Sequence, residues 1–154
     1  MMNQHKDLNA TVAEIIEAVG TRPLAMVSPQ AELPEIINAF SSAPHARLVY
    51  VVDPDQHLLG AISLGNLTQH LLFHHCPTAI DNLHLLSMAT SETAGDFIDR
   101  PVLTAHSTET IEPVLERMLA ANIKEIPVLD DQECLIGDLT LVDILHICTK
   151  AILP

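Results

Sequence analysis

Residues 137–144 read Gly-Asp-Leu-Thr-Leu-Val-Asp-Ile, and residues 60–67 read Gly-Ala-Ile-Ser-Leu-Gly-Asn-Leu. Each stretch predicts a strand end that opens at a glycine and turns directly into a helix. In each, a hydroxyl residue stands three before a carboxylate or carboxamide: Thr140 before Asp143, and Ser63 before Asn66. The glycines lie 77 positions apart (137 − 60), half the length of a 154-residue chain, which marks an internal duplication.

Outward from these corners the two halves keep the same order. Leu48 to Val52 is β-branched and reads as a buried strand, followed by the turn Asp53-Pro54-Asp55-Gln56 and a returning strand. Ile126 to Leu129, the turn Asp130-Asp131-Gln132-Glu133 and the strand to Gly137 repeat it. Upstream of these, residues 31–43 and about 109–121 carry apolar positions at helical spacing, Leu33, Ile36, Ile37 and Phe40 in one and Ile111, Val114, Leu115 and Met118 in the other. Pro34 sits in a first turn, where its missing N–H costs little. Thr11 to Val19 predicts a further helix, N-capped by Thr11 and ended by Gly20, and Thr93 to Ile98 matches its opening. Arg22-Pro23 and Arg100-Pro101 then force an extended exit. The expected organisation is a frayed tail over 1–10, a first domain over 11–71, a linker over 72–92 and a second domain over 93–151.

Composition narrows the class. The apolar fraction of 48% supports a core, and that core is aliphatic, with no Trp and one Tyr. Twenty acids against seven bases give a formal charge of −13, a field that repels phosphate polymers and anionic membranes. Nucleic acid is therefore not an expected partner. Three cysteines without a close pair do not suggest a disulfide framework, the opening MMNQHKDLNA lacks an apolar signal region, and no apolar run is long enough to span a bilayer. The expectation is a cytoplasmic chain with no membrane insertion.

With both halves laid out, the pattern resembles a stand-alone tandem pair of cystathionine β-synthase (CBS) domains. The resemblance covers residues 11–71 and 93–150; it is close in the second half and more divergent in the first, where Tyr50 stands for Pro127 and Asn66 for Asp143. It implies an α/β fold of two pseudo-symmetric β-α-β-β-α halves packed through their sheets, dimerising through amphipathic helices. It also implies that the hydroxyl-x-x-Asp corner holds the phosphate and ribose of AMP, ADP, ATP or S-adenosylmethionine in the cleft between the halves, as a regulatory ligand connected with energy sensing. Carried over, Thr140 and Asp143 become phosphate and ribose contacts, Ile126 and Pro127 lie near the base, and Thr104 lies beside the adenine.

The residues themselves leave two readings open. Thr140 at a helix start presents a hydroxyl together with unpaired N–H groups and the positive end of the helix dipole, which suit an anion; a carboxylate at Asp143 suits a vicinal diol. Gly137 would let a neighbouring backbone approach closely. The same Thr-x-x-Asp spacing is also a capping box, and Ser63-x-x-Asn66 is a weaker one. Asn66 lacks the charge that strengthens a bond to a hydroxyl, so one competent site, dominated by Asp143, is expected. Lys124 and Arg47 precede the central strands as candidate phosphate cations, against a solvated strand start, and His106 falls near a strand–helix turn.

One feature lies outside the resemblance. His70, His74, His75 and Cys76 cluster at the end of the first-half helix, and the i, i+4 pair His70 and His74 has a spacing that chelates zinc or nickel. An interface cluster is the favoured alternative to a metal site. No nucleophile–base pair, HExxH motif or GxxxxGK loop is present, so neither an enzyme nor a catalytic cofactor is expected. The leading function is a non-catalytic nucleotide-binding module acting on an unknown effector. The alternatives are a ligand-independent dimerisation scaffold and a metal sensor.

Overall fold

The computed structural model describes residues 8–73, 92–98 and 102–150. The chain forms two compact units: residues up to 22 together with those from 103 onward, and residues 23–102. Each contains one three-stranded sheet, and each reads β-α-β-β-α as expected.

In the unit of residues 23–102, β1 (Met26–Val27) runs parallel to β2 (Leu48–Val52), and β2 pairs antiparallel with β3 (Leu58–Ser63). Between β1 and β2 lies α2 (Leu33–Ser42), with Pro34 in its first turn, and α3 (Leu64–Phe73) leaves β3 directly. Ile36, Val51, Ile62 and Leu67 form its core together with Ala94 and Phe97, which come from the start of the second sequence half. That start is a single 3-10 turn, Ala94–Asp96, and not the helix that its match to Thr11–Ile16 suggested. The N–H groups of Ala94 and Gly95 donate to the carbonyls of Ala31 and Pro29 at 2.8 and 3.0 Å, so this backbone is committed to the loop before α2, and glycine adds no helix propensity.

In the other unit, β4 (Ala105–His106) runs parallel to β5 (Glu125–Leu129), which pairs antiparallel with β6 (Leu135–Thr140). Between β4 and β5 lies α4 (Ile111–Ala120), and α5 (Leu141–Lys150) follows β6 without a break. The N-terminal helix α1 (Val12–Val19) belongs here. Its capping box is complete: Glu14 N–H donates to Thr11 Oγ1 at 3.2 Å, and Thr11 N–H donates to Glu14 Oε2 at 2.8 Å. Val12 N–H donates to Glu109 O and Ile111 N–H to Ala10 O, strapping the start of α1 to the start of α4. Val12 and Ile15 then join Ile111, Val114, Met118, Ile126, Val128, Leu139 and Ile144 in the core. Each core is thus completed by a segment from the other sequence half.

The duplication is visible in detail. Asp53 Oδ1 accepts from the N–H groups of Asp55 and His57, and Asp130 Oδ1 accepts from those of Gln132 and Cys134. Gln56 and Glu133, again 77 apart, share a left-handed backbone at φ 69° and 63°. The signature glycines have a structural cause. A Cβ on Gly137 would stand 3.2 Å from Ile16 Cδ1, and one on Gly60 would collide with Ile98 Cγ2. The close approach at Gly137 is therefore made by the Ile16 side chain of the N-terminal helix, on the core side of the sheet, and not by a neighbouring backbone.

Candidate functional site

Strand alternation divides the expected residues between two faces of the β4–β6 sheet. In β6, Leu135, Gly137 and Leu139 are buried, whereas Ile136, Asp138 and Thr140 are at least partly exposed. Pro127 sits opposite Asp138, and Ala105 lies beside Val128, which brings Thr104 next to Pro127 by register. Thr104, Pro127, Asp138 and Thr140 therefore share the face opposite the core. Ile126 is on the other face: it is fully buried among Val12, Ile15 and Val114. Thr140 and Asp143 come together, and Pro127 and Thr104 join them on the same face, while Ile126 packs behind.

The strand-to-helix corner is a closed polar network. Asp143 N–H donates to Thr140 Oγ1 at 3.1 Å, and Thr140 N–H donates to Asp143 Oδ2 at 2.8 Å. Asp143 nevertheless is only 6% exposed, which a surface cap has no need to be. Its compensation comes from Arg22, whose Nη1 and Nη2 donate to Asp143 Oδ1 and Oδ2 at 3.0 and 2.7 Å. Arg22 also donates from Nε to Asp138 Oδ1 at 2.8 Å and from Nη2 to the Asp138 carbonyl at 3.1 Å. This is the forked, bidentate geometry that a guanidinium offers a carboxylate. Burial pushes the Asp143 carboxyl up, but Arg22 and Thr140 outweigh it and hold it below the ordinary carboxylate value. The Arg22 guanidinium is raised in turn, chiefly by its hydrogen bond to Asp143.

A second guanidinium supports Thr104. Arg117 on α4 grips Glu109 through two bonds of 2.8 and 2.9 Å and donates to the Thr104 carbonyl at 3.1 Å. Its hydrogen bond to Glu109 holds that carboxyl low, with the His106 N–H contributing. Lys124 is exposed, and its carbonyl accepts from Leu141 N–H at the head of α5; Arg47 is exposed too and does the same for Leu64. His106 Nε2 lies 3.3 Å from Glu133 Oε1.

The first-half corner has the same frame and different chemistry. Ser63 Oγ accepts from Asn66 N–H at 3.1 Å, but Asn66 is exposed. Where the other unit has Pro127, Tyr50 is buried opposite Ala61, and its N–H donates to Ala25 O at 2.8 Å, a bond proline cannot make. A hollow of about 270 Å³ opens beside this corner, lined in part by Asn66, His70 and Asp96. His70 faces Glu92 at 3.4 Å and meets the Phe97 ring edge-on at 5.2 Å. His74, the other half of the proposed chelating pair, lies outside the described residues, as do His75 and Cys76. Among the described residues, Asp53, Asp55 and His57 are close enough for a metal, with ligand atoms within 4.8 Å of one another. Asp53 is already occupied by the turn's N–H groups and by His57 Nδ1 at 3.0 Å.

Two duplicated β-α-β-β-α units, each with a hydroxyl-capped strand-to-helix corner, define a class of small paired α/β modules. The CBS domain family model matches residues 10–72 and 94–150. The chain belongs to that family. Protein MJ1426 of Methanocaldococcus jannaschii, itself uncharacterized, is 27% identical over 129 residues, 71% of this chain and 73% of that protein. A CBS domain-containing protein from Thermotoga maritima has a similar fold, with a TM-score of 0.70 and 23% identity over 92% of this chain and 96% of that one. The CBS domain pair of protein MJ0100, solved with 5′-methylthioadenosine and S-adenosyl-L-methionine, has a TM-score of 0.67 and 20% identity over 92% and 98% of the two chains. No described helix is long and apolar enough to cross a membrane.

Proposed function

We propose that this chain is a non-catalytic regulatory module that binds an adenine nucleotide, one of AMP, ADP, ATP or S-adenosylmethionine, at the Thr140–Asp143 corner. The observation that carries the reading is the asymmetry of the two corners. One has a buried, charge-compensated carboxylate beside a hydroxyl at a helix N-terminus, with Pro127 and Thr104 on the adjoining face. The other has an exposed carboxamide and a buried tyrosine. A helix N-terminus favours phosphate, and a carboxylate favours a ribose diol. The ligands of the MJ0100 pair, both built on adenosine and neither phosphorylated, lend support to the adenosine moiety alone and not to a particular 5′ group.

The module is proposed to act as a homodimer on an effector protein in the cytoplasm, where binding becomes a signal through its effect on a conformational equilibrium: a ligand shifts an equilibrium only by its differential affinity for two states. Val142 and Leu145, one turn apart on α5 and 58% and 59% exposed, offer an apolar stripe for a second copy. Equilibrium dialysis with AMP, ADP, ATP and S-adenosylmethionine tests the site. One equivalent of one nucleotide per chain, lost in Asp143→Asn and kept in Asn66→Ala, is expected. Loss in Asn66→Ala instead moves the site to the first-half corner, and no uptake of any of the four refutes the reading.

A ligand-independent scaffold is the second reading, favoured by the fact that both Asp143 oxygens accept bonds from the chain itself. On that reading Asp143→Asn lowers stability and changes no binding.

A further inference from the structure

Arg22 occupies the oxygens that the proposed ribose contact requires. Its Nη1 and Nη2 lie 3.0 and 2.7 Å from Asp143 Oδ1 and Oδ2, and its Nε holds Asp138 at 2.8 Å. A diol approaching Asp143 must displace two charge-assisted bonds from a carboxylate that is almost wholly buried. Resting on the nucleotide reading above, we infer that Arg22 is a latch that makes this corner select phosphorylated adenine nucleosides over neutral ones.

The argument is one of compensation. A neutral nucleoside returns hydroxyl donors to Asp143 but leaves the displaced end of the guanidinium without an anion. A nucleotide carries both groups: hydroxyls for Asp143 and a phosphate for the freed Nη1 and Nη2. A guanidinium has five N–H donors in a fixed fork, so it can keep Nε on Asp138 while its far edge changes partner. The rest of the corner suits the exchange. Asp143 keeps the Thr140 N–H at 2.8 Å whichever group replaces Arg22, and the helix dipole of α5 favours a negative group at the same place. The Arg22 side chain is about one-third exposed, so it is not sealed from a solvent-borne phosphate. It also stands immediately before Pro23, at the point where the chain leaves one compact unit for the other.

The test is calorimetric titration of the full chain with AMP and with adenosine, in wild type and in Arg22→Gln. The wild type should prefer AMP by at least about tenfold, and Arg22→Gln should bring the two within about threefold, with AMP weakened and adenosine strengthened. Should Arg22→Gln fail to melt cooperatively, Arg22→Lys serves: it keeps one charge but cannot span both carboxylates, and its preference should fall between the other two. An AMP-to-adenosine ratio unchanged by substitution, or equal weakening of both ligands, overturns the latch and leaves the nucleotide site standing. Absence of binding by either ligand to any folded variant overturns the latch together with the site it rests on.

Discussion

Removing Arg22 should destabilise the protein more than its own exposure suggests, because the group left behind is the buried one. The Asp143 side chain is 8% exposed and that of Arg22 is 33% exposed. In Arg22→Ala the carboxylate keeps the Thr140 N–H and loses both guanidinium bonds. Stranding one member of a buried pair costs about 3–5 kcal/mol, and the partial exposure of this pair places the expected loss near the lower end, about 3 kcal/mol. Asp143→Ala strands a half-solvated guanidinium that still has Asp138, and it also deletes a helix cap worth about 1 kcal/mol, for a total of about 2–3 kcal/mol. The double variant should be little worse than either single one, giving a coupling of about 2 kcal/mol. Urea unfolding of the four proteins at pH 7 measures this cycle. A coupling below about 0.5 kcal/mol, or an Arg22→Ala variant as stable as wild type, refutes the account of the corner as a network built around a buried charge.

Acid should weaken the same network. The Asp143 carboxyl is held below its unfolded value, so its contribution is fully present above about pH 4 and is lost as pH falls through the lower folded value; a melting curve that fell equally with acid in Asp143→Asn would contradict this. Gly60→Ala should destabilise by about 2 kcal/mol, more than Gly137→Ala, since its Cβ meets a collision and the other a contact at 3.2 Å, and Ile98→Ala should relieve the Gly60→Ala defect in thermal melts. If the proposed homodimer forms through α5, Val142→Lys with Leu145→Lys should convert it to a monomer in light scattering without lowering the melting temperature; a wild type that is already monomeric refutes the dimer, and a dimeric mass kept by the variant refutes this contact.

Much of the fold was readable because the repeat states it twice. Strand, turn and helix positions at Leu48–Val52 and Glu125–Leu129 follow from β-branched runs bounded by Asp-rich turns, and both occur where the pattern puts them. The segment Thr93–Ile98 was misread because matching residues do not carry matching partners: its N–H groups are drawn into the loop at Pro29–Ala31. That Thr140 and Asp143 come together was legible from spacing, as a capping box; their reading as ligand contacts came from the family resemblance and not from the spacing. Arg22 was visible only as a residue before proline. Its partners lie 116 and 121 positions away, a separation that no local periodicity reports. The clue that was available is the charge balance: with seven basic residues in the chain, a carboxylate at a buried corner must draw on one of very few cations. The division of Ile126 from Pro127 was likewise open to a strand-alternation argument, since adjacent residues face opposite ways.

The most direct test of nucleotide binding at Asp143 is a thermal-shift series on metal-stripped protein with AMP, ADP, ATP, S-adenosylmethionine and zinc, repeated on Asp143→Asn. A ligand at a hundred times its dissociation constant adds about 2.7 kcal/mol to the folded state, roughly 5–10 °C for a chain of this size. The account predicts such a rise with an adenine nucleotide and its loss in Asp143→Asn. A cooperative melt that no nucleotide moves, or a rise that Asp143→Asn retains in full, would contradict it.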